Sequence, residues 1–283
     1  MVLPGVVVFQ NPRNSMNIAP VYQPVFRALG IDAQAVFTHP DIRLWRDLND
    51  RQNCVLDTKW PDGTPVRFHI KRFPVSARNS EIDEVNGIRV LQAEDIPTVP
   101  LVGWGKLKDG RSFIITQDLA GFHPVDKLIA SGVPFDLLLR PTAQLTAQLH
   151  KASLHHRDLY LCHFYAKLPL GAKKLEKPLL DLRLIDAARV GRLGLLGRQR
   201  WIVKDLAQFW FSTHQVPITQ SQRMEWLDVY AEIREIEKIT KLQLAIQRKS
   251  DWIAGHDAKL RIRQPRRNIS IPDFHAPDQQ TSE

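Results

Sequence analysis

Apolar and polar residues alternate strictly through Val66-Arg67-Phe68-His69-Ile70-Lys71. A period of two predicts a β-strand with Val66, Phe68 and Ile70 on one face and Arg67, His69 and Lys71 on the other. A second apolar run, Asn53-Cys54-Val55-Leu56-Asp57, precedes it, and Trp60-Pro61-Asp62-Gly63 between them carries the Asp-Gly signal of a β-hairpin. The period then lengthens: Ile82, Val85, Ile88 and Leu91 recur at helical spacing over residues 80 to 95, which Pro97 and Pro100 close. Leu101-Val102-Gly103-Trp104-Gly105 and Phe113-Ile114-Ile115-Thr116 predict two more strands about an Asp109-Gly110 turn.

Beyond Asp118 the pattern is mostly helical. Residues 142 to 151 and 203 to 214 fit helices, and Leu227, Tyr230, Ile233, Ile236, Ile239 and Leu242 form an apolar series through residues 222 to 247. Two short strand-like runs, 164 to 168 and 180 to 185, flank a polar turn at 169 to 174. Residues 1 to 40 are punctuated by Pro and Asn and show no clear period. The expected layout is therefore an N-terminal extension (1–40), a β-rich lobe (41–118), a helical lobe (119–247) and a tail (248–283), an α+β architecture in two lobes. Residues 247 to 267 are basic, and 268 to 283 are polar with Pro272 and Pro277, which predicts disorder there.

Composition narrows the classes. The chain has 283 residues, 43% of them hydrophobic, and a formal net charge of +9. It is long enough for a large core, and its positive balance favours anionic partners such as nucleotide phosphates or an anionic membrane. No basic-aromatic motif accompanies the charge, so nucleic acid is not expected. Cys54 and Cys162 are too few for a disulfide framework or a zinc site. No signal peptide or membrane span is expected, and the cytoplasm is the expected compartment.

The densest chemistry lies in His155-His156-Arg157-Asp158-Leu159-Tyr160-Leu161-Cys162-His163-Phe164. Its apolar members suit a loop pinned to a core while the polar members face a reaction. His-Arg-Asp followed five positions on by a further ligand type is the layout of a kinase catalytic loop, although His163 stands where protein kinases carry Asn. The other parts phosphoryl transfer needs have candidates in order. Lys71 closes the alternating strand on its polar face, and Glu84 on the next helix is its candidate partner, with Glu81 and Asp83 as rivals. Asp186 ends the strand Leu182-Arg183-Leu184-Ile185, where a carboxylate chelates Mg²⁺. Asp205 is a candidate to hold the loop's backbone, or an ordinary first-turn helix Asp favoured by the dipole. A solvent-facing Lys71 and a turn-forming Asp186 are the plain alternatives. His163 suits Mn²⁺ better than Mg²⁺, or contacts phosphate, or braces the loop. His150, His155 and His156 lack zinc spacing, and Cys162 is discounted as a nucleophile.

Leu149 to Phe164, Leu184-Ile185-Asp186-Ala187-Ala188-Arg189, Arg200-Trp201-Ile202-Val203-Lys204-Asp205-Leu206 and Phe113 to Leu119 together resemble the lipopolysaccharide kinase (Kdo/WaaP) family, a branch of the protein-kinase-like fold. The resemblance covers roughly residues 65 to 215 and implies a two-lobed protein-kinase-like fold. It implies Asp158 as base, Asp186 and His163 at the metal, and Lys71 with Glu84 at the nucleotide. It also implies ATP and Mg²⁺ (Mn²⁺ as the alternative) as cofactors, and a sugar hydroxyl on a lipid-linked glycan as acceptor. The basic 248-to-267 segment would then meet the anionic inner-membrane surface, with a solvated basic tail as the plain alternative. A protein or small-molecule kinase of the same fold and a non-catalytic pseudokinase are the rivals. Two departures stand out: no Gly-x-Gly-x-x-Gly precedes Lys71, and the stretch from Asp186 to Asp205 is short and lacks Ala-Pro-Glu.

Overall fold

The computed structural model describes residues 7–11, 14–77, 80–168, 170–172, 180–194, 196–263 and 271–275. The chain divides into two compact units, one of residues 1–86, 99–119 and 267–283, the other of residues 87–98 and 120–266. The first is β-rich and the second largely helical, the α+β order of a protein-kinase-like fold.

The β-rich unit is one sheet of seven strands: β1 (Val7–Asn11), β2 (Asn14–Ile18), β3 (Ile42–Asp47), β4 (Gln52–Lys59), β5 (Pro65–Phe73), β6 (Leu101–Lys106) and β7 (Ser112–Gln117), in the spatial order β1-β2-β6-β7-β5-β4-β3. The predicted hairpin is β4–β5, with Asn53 opposite Lys71 and Asp57 opposite Arg67. Its alternation sorts the two faces as expected: Val66, Phe68 and Ile70 are buried, whereas Arg67, His69 and Lys71 are partly exposed.

What covers the apolar face had no signal in the sequence pattern. Residues 14 to 38 add β2 to the sheet, then α1 (Gln23–Ala28) and α2 (Ala35–Thr38). Tyr22 and Phe26 pack their rings 5.9 and 5.2 Å from that of Phe68, and Arg72 donates to the Val36 carbonyl at 2.8 Å. These helices are too short for a period to show, so their burial comes from aromatic packing rather than from an amphipathic stripe.

α3 (Glu81–Ala93) is the predicted helix with one correction: Ile82 is 43% exposed, and Glu84 (4%) lies inward with Val85, Ile88 and Leu91. The helix stops before the prolines. Asp95 adopts φ 53°, and the amides of Asp95 and Ile96 donate to the carbonyls of Gln92 and Leu91. That is a Schellman end with Asp in place of Gly.

The helical unit contains α4 (Val125–Ala130), α5 (Asp136–Lys151), α6 (Arg198–Thr213), α7 (Gln220–Ile233) and α8 (Ile239–Arg263). Small strands β8 (His123–Pro124), β9 (Leu154–His155), β10 (Phe164–Ala166), β11 (Leu182–Leu184) and β12 (Gly191–Arg192) pair as β11-β10-β8 and β12-β9. Its core is aromatic: Trp226 stacks on Phe209 at 4.1 Å and donates to the Thr142 hydroxyl at 3.0 Å. The apolar series of residues 222 to 247 is two helices, not one. Glu235 turns left-handed (φ 54°), and the Ile236 and Glu235 amides donate to the Ala231 and Glu232 carbonyls, a second Schellman end that the apolar spacing conceals.

Of the polar turn expected at 169 to 174, only residues 170–172 are among the described ones. Of the tail expected at 248 to 283, residues 248–263 form the end of α8, 271–275 are described, and the rest lies outside the described residues. Within the tail expected to be disordered, however, Ile271–His275 is placed against the β-sheet. Arg67 donates to the Pro272 carbonyl at 2.7 Å, and the His275 amide donates to Asp57 at 2.8 Å. Paired charges on the sheet supply the contacts that the segment's own composition lacks.

Candidate active site

The polar face of β5 presents Lys71 to α3, and its Nζ bridges both carboxylate oxygens of Glu84 at 2.8 Å. Glu84 is 5% exposed and Lys71 24%, so the pair is largely desolvated and its geometry is two-pronged. Of the two rivals, Asp83 is occupied elsewhere. Asp83 accepts the Ser80 amide at 2.9 Å and caps the helix start.

In the helical unit the run from His155 to Phe164 is a loop ending in a 3-10 turn at Leu161–His163. Its backbone is held by one face of α6. Asp205 accepts the amides of His156 and Arg157, both at 2.7 Å. One turn on, Gln208 accepts the Leu159 amide and donates to the Arg157 carbonyl at 2.9 Å, and Ser212 accepts the Leu161 amide at 3.0 Å. Positions 205, 208 and 212 follow the i, i+3, i+7 stripe of one helix face.

Asp205 is 0% exposed and lies two turns inside α6, so the first-turn dipole explanation does not apply. Gly197 at φ 80° caps the helix earlier than the apolar pattern suggests. His150 of α5 donates or accepts at 3.3 Å from Asp205 and 2.8 Å from the Tyr230 hydroxyl. Burial raises the Asp205 carboxyl, but the His150 contact and the donated amides outweigh it and leave it below its ordinary range.

This anchoring sustains an unfavourable backbone. Arg157, just before Asp158, has φ 65°, a left-handed conformation that costs roughly 1–2 kcal/mol in a non-glycine residue. Its amide and carbonyl are both occupied by α6, and its guanidinium lies 4.0 Å over the Trp201 ring. Asp186 is left-handed as well, at φ 59°. The Ile185 amide before it donates to the His163 carbonyl, and His156 Nε2 contacts the Ile185 carbonyl at 3.1 Å. Gly87 of α3 meets the next residue so closely that a Cβ there would lie 1.9 Å from the Ala187 oxygen; no side chain fits.

The result is a compact group. Ligand atoms of Asp158, His163 and Asp186 all lie within 4.8 Å of one another. His163 Nδ1 lies 2.6 Å from the Asp158 carbonyl, and its Nε2 is 3.8 Å from Asp186. With its Nδ1–H donated to a backbone carbonyl, the imidazole turns Nε2 toward Asp186, where it offers a lone pair to a metal once the Nε2 proton is displaced. Burial works against charge on His163, yet the Cys162 sulfur, Asp186 and the Asp158 carbonyl hold its pKa at about 9. The surroundings favour a cation at this point, and the donor set fits a divalent ion with mixed oxygen and nitrogen ligands. Arg189 stands 3.8 Å from Asp158.

A family model described as the lipopolysaccharide kinase (Kdo/WaaP) family matches residues 68–230. The chain belongs to the lipopolysaccharide kinase (Kdo/WaaP) family. It is 30% identical over 195 residues to a lipopolysaccharide core heptose(I) kinase WaaP of Escherichia coli, covering 64% of this chain and 72% of the relative. The protein of that name from E. coli K12 is 29% identical over 224 residues, covering 71% and 82%. The Pseudomonas aeruginosa protein is 28% identical over 162 residues, covering 52% and 58%. Among solved structures, the BubR1 kinase domain is similar over 92% of this chain and 88% of that chain, at 10% identity and a TM-score of 0.46.

For this Kdo/WaaP-family chain, the structure brings Lys71 to Glu84, and Asp158 to His163 and Asp186. It adds Gln208 and Ser212, overlooked in the sequence although they recur with Asp205 as polar residues on an otherwise apolar helix face. It also adds Arg189 and the His150–Tyr230 contact, for which no spacing rule exists because the partners come from different elements.

Proposed function

We propose that the chain is an ATP-dependent kinase that phosphorylates a sugar hydroxyl of a lipid-linked glycan of the lipopolysaccharide-core kind. The grouping of Asp158 and His163, on a loop fixed by α6, with Asp186 just beyond β11 is the observation that carries this reading. Asp158 accepts the proton of the acceptor hydroxyl as its oxygen bonds to the γ-phosphorus. The bond to the β,γ-bridging oxygen breaks and ADP leaves. Lys71, aligned by Glu84, holds the nucleotide phosphates. Asp186 and His163 would hold Mg²⁺ or Mn²⁺, which offsets charge on the transferring group. The relatives are heptose(I) kinases by name, so a core heptose is the first acceptor to test.

The acceptor's lipid end implies a membrane surface. Among the described residues no helix is long and apolar enough to cross a membrane. On α8, however, Lys241, Leu244, Arg248, Trp252, His256, Lys259 and Ile262 are exposed at helical spacing. A stripe mixing cations with Trp252 and Ile262 suits an anionic interface, at about 1 kcal/mol per basic residue that reaches it.

γ-Labelled ATP incubated with the protein and extracted envelope glycolipids tests the proposal. Label should enter a core sugar, and not a generic protein substrate. The glycine-free turn between β3 and β4, closed by the Leu48 amide on the Arg51 carbonyl, favours the pseudokinase as second reading. Nucleotide binding without transfer to any acceptor would support it.

A further inference from the structure

The tail segment Ile271–His275 lies on the same face of the β-sheet as Lys71. Cross-strand partners share a face, and the register places Asn53 beside Lys71, Val55 beside His69 and Asp57 beside Arg67. Asp57 is 1% exposed and is paired with both Arg43 and Arg67. A buried carboxylate between two guanidiniums is a fixed platform, and its pairing with Arg67 outweighs burial to keep the acid below its ordinary range.

The tail uses this platform through its main chain. The Arg67 Nη1 donates to Pro272 and the Arg43 Nη2 to Asp273, at 2.7 and 3.4 Å, while the His275 amide donates to Asp57 at 2.8 Å. The Phe274 ring lies 5.6 Å from the Arg67 guanidinium. Phe274 and Ile271 nonetheless remain 45% and 42% exposed, so the segment is anchored by its backbone and keeps apolar surface to offer.

The direction of a nucleotide on this face follows from the role given to Lys71, held by Glu84 at one end of β5. Lys71 lies near the β3–β4 turn, where Arg51 also sits beside Asp50, and among the described residues the buried Arg51 Nε, a donor, has no hydrogen-bond partner. Phosphates therefore belong at that end. From Lys71 the face runs back over His69, which pairs with Asp118 at 2.7 Å, to Arg67 and the tail. At about 3.4 Å per residue, His69 lies about 7 Å and Arg67 about 14 Å from Lys71 along the strand.

We propose that Ile271–His275 is a positioning segment that walls the nucleoside end of the nucleotide site, with Phe274 and Ile271 as its apolar surface. The inference rests on the kinase reading above. It assigns the segment to holding the base and ribose, while Lys71 and its neighbours hold the phosphates.

The test uses full-length protein, Phe274→Ala, Phe274→Trp and a chain stopped after Ser270, titrated with Mg-ATP and with Mg-tripolyphosphate, which lacks a nucleoside. Phe274→Ala should weaken ATP about tenfold, within the range for losing one aromatic face against a base. The shortened chain should weaken it at least as much, and Phe274→Trp should restore it. Tripolyphosphate affinity and the KM of the acceptor should stay unchanged, which a general loss of structure would not allow. In the parent chain, ATP should slow amide exchange across 271–275. If ATP binds the parent and both altered chains equally, the tail assignment is wrong and the kinase reading stands. If the parent binds tripolyphosphate and ATP equally, the nucleoside has no wall and the assignment also falls. If the parent binds neither, the kinase reading itself fails and takes the assignment with it.

Discussion

Three aspartates of the helical unit, identical in chemistry, live in opposite surroundings. Asp205 is fully buried and accepts two backbone amides, with His150 against it. Asp158 and Asp186 are 25% and 28% exposed and sit together with His163. A carboxylate saturated with donors stabilises a fold. Asp158 and Asp186 instead meet the charges of His163 and Arg189 and stay partly exposed, which keeps them accessible to a ligand. The loop between them is where one kind of aspartate makes the other kind useful.

The comparison can be broken most sharply at the open end. Asp186→Asn should lower turnover by about 10²–10³ while lowering the unfolding midpoint much less than Asp205→Ala does, as measured by steady-state kinetics and urea denaturation. Asp205→Ala should do the reverse in emphasis. Removing it strands two amides and a buried imidazole, for an expected loss of about 3–5 kcal/mol of stability by urea unfolding. If Asp186→Asn were the more destabilising of the two, the division of labour would be wrong.

The loop's histidines sharpen the same contrast through pH. Burial against Trp201 depresses His155 to about 4. The unfolded chain therefore binds the extra proton between pH 6.5 and 4, and stability falls as pH falls through that window, by about 3 kcal/mol in total. His163 is raised to about 9, so its contribution in the metal-free protein is present below pH 6.5 and lost as pH rises towards 9. Urea midpoints from pH 4 to 9 should show the acid limb shrink in His155→Asn, the rest of it coming from the buried His156, and the alkaline limb shrink in His163→Asn.

Gly87→Ala should cost about 1–3 kcal/mol by the same unfolding measurement, because its Cβ meets a backbone carbonyl. The smallest effect is metal preference. With an imidazole among its donors, the parent should need about tenfold less Mn²⁺ than Mg²⁺ for half-maximal activity, and His163→Asn should bring the two together.

The sequence was legible where a single element carries the signal. The β4–β5 hairpin showed its period and its turn, and the loop from His155 to His163 showed its motif. Lys71 and Glu84 could be paired because each sits on an element with a clear face, although Ile82 misled by mimicking the inward stripe. The role of Asp205 was anticipated but its place in the helix was not, since Gly197 caps α6 before the apolar pattern begins. The parts that stayed hidden depend on long-range partners. Residues 14 to 38 fold by covering Phe68, and Ile271–His275 by meeting Asp57 and Arg67, and neither segment has a period of its own.

The central claim is that Asp158 serves the reaction rather than the fold. The decisive measurement is the rate of phosphoryl transfer from γ-labelled ATP to extracted core glycolipid by Asp158→Asn, with ATP affinity measured on the same sample. The account predicts a rate lower by about 10²–10⁴ with ATP affinity within a few-fold of the parent. Transfer at the parental rate by a variant that binds ATP normally would contradict it.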